Sequence, residues 1–589
     1  ELREAASDIE VELSGWFVDT GTRSDLYAKI KALSEKDLNL SKSDAKYLKD
    51  SLRDFERSGL GLPATELEIV KANLKKLSEL SNEFSKNLAE DKQDVLLTKE
   101  ELEGVSEETL NSLKKADDGR YIVPTHVTTT MYSVVENAKS EETRKKLEYA
   151  RNIRAKDKNV PLLSQFMQLR QDTARRLGFA TWADYKTENK MAGTGATAVK
   201  FVDDLIVGLQ PKFEAEVESL RQLKVEETGD ANAKIEFWDF RYFINQLKIK
   251  KYQIDDSELK NFFEMRRTLN GMFSFFEGLF GIKITKVKAE QAWAPDVELY
   301  VIQDAASEAP LGQLYLDFYP RENKYGHFAS FTVEASHVLP SGAHRRPVNA
   351  LICNFPTPVV MSDGVARSLL TFDNVETLFH EFGHALHDIL SPVKNAGQAG
   401  TNVPRDFVEA PSQMLEYFVQ DPNVIKLFAQ DWRNPKNEFP FEILDKLEEA
   451  NLATVGILYR RQLAFGKLDL EMHTSNDPNI DANEVTNRVM GEVFLPVNEG
   501  STFITSFGHL FGGYDAGYYG YAWADSIAAD MASVFEEAPG GYSNKEVGRR
   551  LRKEIYESGS SKPILESVEN FLQRKQSNKA FLKKLGIGE

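Results

Sequence analysis

Cysteine is nearly absent: Cys353 stands alone in 589 residues. No disulfide can close within the chain, which fits a reducing compartment. Long apolar runs are missing too. No stretch of about 18 apolar residues occurs, so no membrane-spanning helix is expected. Basic residues are in deficit, with 73 Lys and Arg against 91 Asp and Glu and a net charge of −18. That balance argues against a nucleic-acid backbone as the main partner and suits cationic peptides. Repeats and low-complexity tracts are absent. The opening residues, Glu1 to Glu10, do not form a signal peptide. What remains is a long chain with enough residues for a large core and several domains.

The most informative feature present is His380-Glu381-Phe382-Gly383-His384. On a helix, residues four apart lie one turn apart on one face, so two imidazoles can hold one metal ion. Glu381 points about 100° away and can reach a metal-bound water without being a ligand. With 9 His and 91 Asp and Glu in the chain, H-E-x-x-H arises by chance roughly 0.02 times at this length. The surroundings agree: Val375, Leu378, Phe379, Phe382, Ala385, Leu386, Ile389 and Leu390 form an apolar stripe at helical spacing. Asp373 is the expected N-cap, with Glu376 completing a capping box. A catalytic zinc needs a third protein ligand and an open position. Phe407, Val408, Met414, Leu415, Phe418 and Val419 predict a second amphipathic helix, with Pro411 in its first turn or at a kink. Composition alone does not choose among Asp406, Glu409 and Glu416 for the third ligand.

Residues 1–290 read as mainly helical, with apolar residues at helical spacing near 65–90, 133–154, 160–178, 198–224 and 257–278. Breakers occur at residues 59–63, 193–195 and 228–230. Gly193 and Gly195 follow no clear strand, which argues against a phosphate loop. Strands are expected at 297–302, 313–319, 327–333 and 348–355, with Leu314, Leu316 and Phe318 alternating against Tyr315, Asp317 and Tyr319. Cys353 is expected as a small buried residue in the last of these, a reactive thiol being the alternative. The strand 348–355 is either an internal strand or an edge that pairs with substrate backbone. After residue 370 the pattern returns to helix, with loops at 391–404 and 506–521. The expected fold is a mainly α, α+β protein with a small sheet, divided along the chain into 1–290 and a catalytic part, 291–589.

The pentad, then Phe407-Val408-Glu409-Ala410-Pro411-Ser412-Gln413, then the run His509 to Tyr521 resemble the thimet oligopeptidase (M3) family of zinc metallopeptidases. Within it the likeness is to the thimet oligopeptidase, neurolysin and fungal saccharolysin group. Segments 57–63, 324–327 and 349–355 also fit, so the resemblance spans nearly the whole chain. It implies two helical domains, discontinuous in sequence, flanking a deep substrate channel. It implies one zinc per chain, held by His380, His384 and Glu409, with Glu381 as general base. It puts His509, Tyr514 and Tyr518, with Gly512 and Gly513, on a substrate-binding segment, and Tyr521 on the tetrahedral intermediate with His509 as a second donor. The glycines of that segment allow a mobile flap.

The activity so implied is internal cleavage of short peptides by a monomer with no nucleic-acid or membrane partner. A dipeptidyl carboxypeptidase is the alternative, with Arg405 or another cation holding the terminal carboxylate; a peptide-binding protein without catalysis is the third reading. A cytoplasmic location is expected. Against the family the beginning looks shortened by a helical segment, so a mitochondrial form stays open. Asp388 is a candidate to orient His384, and His387 is expected off the metal face. His126, His337, His344 and His473 have no chemical context in the sequence.

Overall fold

The computed structural model describes residues 2–322 and 324–588. Two compact units form, each from two segments: Glu1–Asn245 with Gly456–Tyr519, and Gln246–Val455 with Gly520–Glu589. The division at residue 290 follows the chain, whereas the units cross it. Met265–Phe280 belongs to the second unit, and 456–519 returns to the first.

In the first unit, long helices carry the predicted apolar faces at Ala64–Glu90, Lys156–Arg176 and Gly195–Thr228, and most of the helix Val455–Thr474 belongs to the same unit. The breaker at 193–195 is a helix start, where the Thr194 hydroxyl accepts the Thr197 N–H at 3.1 Å. The same helix ends on Gly229, whose φ of +72° permits a left-handed cap. The stretch 133–154 is two helices rather than one, Thr128–Val135 and Glu141–Asn152. Ser140 caps the second through the Thr143 N–H at 3.2 Å, so capping chemistry outweighs the continuous apolar pattern. Phe84, Phe166 and Phe511 stack at the centre, with ring separations of 4.3 and 4.8 Å to Phe511. A three-stranded sheet, with Tyr121–Val123 in the middle, closes a smaller core over Met131, Val134 and Leu147.

The second unit is built on a five-stranded sheet in the order Ile282–Val287, Glu298–Asp304, Pro310–Asp317, Val348–Ile352, Ala329–Glu334. All neighbours are antiparallel except Pro310–Asp317 and Val348–Ile352. Ile282–Val287 escaped the sequence pattern. Val348–Ile352 is internal, paired on both sides, so it offers no edge; the edges are Ile282–Val287 and Ala329–Glu334. Leu314, Leu316 and Phe318 are buried as expected, but Asp317 is fully buried instead of outward-facing. Its carboxylate accepts from Arg321 at 2.7 and 2.8 Å, Lys324 at 2.8 Å and the Trp293 indole at 2.7 Å. Paired and hydrogen-bonded, it meets the condition for a buried charge. Lys324 also donates to the Tyr319 and Cys353 carbonyls, which staples the ends of two adjacent strands. Cys353 is buried, and burial pushes its thiol well up, which makes it inert.

Candidate active site

The pentad lies on the helix Phe372–Ile389. The expected stripe is buried, with Val375, Leu378, Phe379, Phe382, Ala385 and Leu386 fully covered. The cap differs from expectation. Thr371, not Asp373, is the N-cap, and Asn374, not Glu376, completes the capping box. Threonine and asparagine at this spacing satisfy the same two orphan donors. Burial pushes the Glu376 carboxyl up to about 8, and the neighbouring Asp373 and Glu416 charges add to the rise.

Opposite runs the short helix Ala410–Glu416, with Glu409 at its N-cap and Pro411 in its first turn. The two helices touch at Gly383. A Cβ there would sit 2.7 Å from the Ser412 Cα, so only glycine permits this approach. The approach brings Glu409 Oε2 to 3.1 Å from His384 Nε2 and 3.4 Å from His380 Nε2. One ligand atom from each of these residues lies within 4.8 Å of the others. Two donors bonded at about 2.0 Å to one tetrahedral ion are about 3.3 Å apart, so the set fits a metal. Two imidazoles and a carboxylate are also suitable donors.

Electrostatics point the same way. Burial opposes protonation of His380, but the Glu409 and Glu416 carboxylates outweigh it and raise the imidazole well above its ordinary value. Burial would raise Glu409, yet His384 and His380 hold it well below the usual carboxylate range. The cluster thus draws positive charge toward Glu409, as a bound cation would supply. Glu416, one of the three acids left open by composition, accepts from His380 Nδ1 at 2.6 Å and turns Nε2 toward Glu409. Glu381 is 8% exposed, and its Oε2 is buried with no hydrogen-bond partner. Burial raises its carboxyl above its ordinary value.

Asp388 bonds elsewhere than expected. Its oxygens accept from Thr332 and Asn349 in the sheet at 2.5 and 2.9 Å, and from the Thr401 N–H at 2.9 Å. It clamps the pentad helix to the sheet. His387, one turn beyond His384, is fully buried against Tyr556 and outside the His380, His384 and Glu409 cluster, and burial lowers it to about 4.

The other expected residues divide between the units. Tyr521 begins the helix Gly520–Glu536 in the second unit, and its carbonyl accepts from Gln413 on the Glu409 helix at 3.3 Å. His509, Tyr514 and Tyr518 lie together in the first unit. The His509 ring meets Tyr514 at 5.7 Å and Tyr518 at 5.5 Å, both edge-on. Gly512 and Gly513 are exposed beside them, and Gly513 has a φ of +108°.

Asp469, His473, Arg170 and Asp515 are bracing residues that sequence reasoning passed over. Asp469 accepts the Ala516 and Tyr518 N–H groups at 2.7 and 2.9 Å, and His473 Nδ1 at 2.8 Å. Arg170 bonds His473 Nε2 at 2.8 Å and donates to the Leu510 carbonyl at 2.7 Å. Asp515 accepts from the Trp182 indole at 2.7 Å. Ala516, Tyr518 and Asp515 are thus tied to buried partners, whereas Gly512 and Gly513 before them are exposed. The only hint in the sequence was the i, i+4 pairing of Asp469 with His473.

The profile of peptidase family M3 matches residues 134–587. The chain belongs to peptidase family M3. As an M3 peptidase it is a metallopeptidase with peptides as substrates. It is 33% identical to a thimet-like oligopeptidase of Dictyostelium discoideum, over all of this chain and 89% of that one. It is 31% identical to saccharolysin of Saccharomyces cerevisiae, covering 100% and 85%, and to oligopeptidase A of Escherichia coli, covering 100% and 88%. Among solved structures, PZ peptidase A bound to an inhibitor superposes with a TM-score of 0.58 at 15% identity, covering 100% and 86%. An M32 carboxypeptidase from Deinococcus radiodurans gives 0.52 at 14%, covering 99% and 91%. These structures share the fold of the M3 peptidase. No helix among its described residues is long and apolar enough to cross a membrane.

Proposed function

We propose that this M3 peptidase is a zinc-dependent endo-oligopeptidase that cuts internal bonds of short, unstructured peptides, with one zinc per chain on His380, His384 and Glu409. The observation that carries the reading is the convergence of two imidazoles and one buried carboxylate from two helices, with Glu381 beside them. Three such donors with an open fourth position suit zinc in a hydrolase. When bound, the ion would acidify a water and polarise the scissile carbonyl.

The residues supply the rest. Glu381, buried and unpaired at Oε2, takes the proton of the attacking water and passes it to the leaving amine. Tyr521 donates its phenolic hydrogen to the developing oxyanion, and His509 is the second donor. Tyr514, Tyr518, Gly512 and Gly513 bind the peptide. The open edge Ala329–Glu334 can add a peptide strand by main-chain hydrogen bonds, which suits broad side-chain tolerance. The names of the relatives, oligopeptidases among them, support the limit to short peptides.

The test is a mass-spectrometric digest of a peptide-length series and one unfolded protein, with chelator and with zinc restored. Internal cuts confined to short peptides, lost with chelator and recovered with zinc, are expected. Stepwise release of C-terminal dipeptides would overturn the endo assignment. Glu381→Gln should keep zinc but lose about 10²–10⁴-fold in kcat; retained turnover would remove Glu381 as the base.

A further inference from the structure

Within the first unit, arginines from three helices gather near Tyr132. The Arg241 guanidinium lies 3.8 Å from the centre of the Tyr132 ring, and that of Arg151 lies 5.3 Å from it. Arg461 sits 4.7 Å over Phe465, whose ring meets Tyr518 edge-on at 5.5 Å. The next residue, Gln462, accepts the Tyr518 hydroxyl at 2.9 Å.

The anionic partners are too few for three guanidiniums. Glu148 is 4% exposed and within electrostatic reach of all three, yet it makes no hydrogen bond or ion pair among the described residues. Glu136 lies 3.5 Å from Arg241. Arg151 spends its donors on neutral acceptors, the Thr125 carbonyl and the Thr128 hydroxyl. Arg461 makes no hydrogen bond or ion pair at all among the described residues, and its Nε is buried without a partner. A buried guanidinium donor left unpaired is costly, and burial accordingly lowers the Arg461 pKa. Arg151, Arg241 and Arg461 each keep part of their surface in solvent.

A planar fork of N–H donors with no acceptor matches a carboxylate. We propose that Arg461, backed by Arg241 and Arg151, binds a carboxylate of the peptide substrate beside Tyr518. The proposal rests on the peptide-binding role of Tyr518 given above. The carboxylate is either the C-terminal group or an acidic side chain.

Four versions of one nonapeptide separate these sources: free acid or amide at the C-terminus, each with Glu or Gln at one internal position. Dissociation constants are measured on the zinc-loaded Glu381→Gln protein, and kcat/KM on the zinc-loaded wild type. Loss of one carboxylate is expected to weaken binding by about tenfold or more, the effect of one charge-assisted hydrogen bond. A loss on amidation identifies the C-terminus; a loss on Glu to Gln identifies a side chain. In Arg461→Gln the ratio of charged to neutral peptide should fall close to one, and Arg461→Lys should restore part of it. The ratio is taken on one protein, so a change in stability does not mimic the effect. A wild-type ratio near one for both carboxylates, or a ratio unchanged in Arg461→Gln, overturns the proposal. If peptides bind but are never cut with zinc present, the hydrolase reading fails while the binding ratio still decides this inference.

Discussion

Gly383→Ala sets helix propensity against packing. Glycine inside a helix costs about 1 kcal/mol relative to alanine, so the substitution should stabilise an isolated helix. In the folded protein the new Cβ would lie 2.7 Å from the Ser412 Cα, 3.2 Å from its Cβ and 3.3 Å from a Leu415 methyl. Ordinary contact begins at 3.4 Å, and the nearest atom belongs to backbone, so the two helices must part by about 0.7 Å. Overpacking of this kind costs about 1–3 kcal/mol, which outweighs the propensity gain and leaves a net loss of about 0–2 kcal/mol. The effect on metal is larger. Ligand positions tolerate about 0.2 Å, and the separation carries Glu409 away from both imidazoles. Zinc affinity should fall by about 10–100-fold, the usual effect of removing a group that supports a ligand. Urea unfolding of the metal-free protein and a competitive chelator titration measure the two effects. Gly491→Ala is the control. It lies exposed in the helix Ala482–Val493, its added Cβ would meet nothing closer than 3.8 Å, and it should gain about 0.5–1 kcal/mol. Equal stability and equal zinc affinity for Gly383→Ala and wild type would refute the claim that this glycine sets the ligand geometry.

Glu416→Gln leaves His380 without its 2.6 Å carboxylate partner and should weaken zinc about 10–100-fold with the three proposed ligands, His380, His384 and Glu409, intact; an unchanged chelator titration would show that His380 needs no such support. Asp469→Asn replaces the acceptor of the Ala516 and Tyr518 N–H groups and should cost about 1–3 kcal/mol, read as faster hydrogen exchange confined to residues 514–519; unaltered exchange there would mean the segment is braced by other contacts. Burial would raise Asp515, but Lys186 and Arg170 hold it below the ordinary value, 3.2 and 3.9 Å away. Its stabilisation is then complete above the unfolded pKa of about 3.9 and is lost as pH falls through that value toward the folded one. Asp515→Asn should lose about 3–5 kcal/mol near neutrality and show a flatter decline in urea midpoint below about pH 4; parallel pH profiles would contradict this pairing.

Periodic features were legible because they are local. The pentad helix, its buried stripe, Pro411 in the first turn of the Glu409 helix and the alternation of Leu314, Leu316 and Phe318 each follow from residues within a turn or two of one another. Misreadings occurred where neighbours compete. Thr371 with Asn374 and Asp373 with Glu376 are both plausible capping boxes two residues apart, and only the backbone path selects the first. The split of 133–154 is of the same kind, a Ser140 cap hidden within a continuous apolar pattern. Asp317 looked like an outward residue because alternation carries no information about Arg321, Lys324 and Trp293.

By itself the sequence determined that His380 and His384 share one helix face with Glu381 turned aside, since 3.6 residues per turn allows no other arrangement. Which of Asp406, Glu409 and Glu416 meets both imidazoles was a tertiary matter. It depends on how closely two helices approach, and the absent side chain of Gly383 permits Glu409 to meet both imidazoles while Glu416 reaches the far nitrogen of His380. Tertiary structure also decided that Val348–Ile352 is internal, because strand neighbours are chosen across the sheet. It likewise gave His473 a partner in Arg170, 303 positions away, a contact that no local spacing encodes.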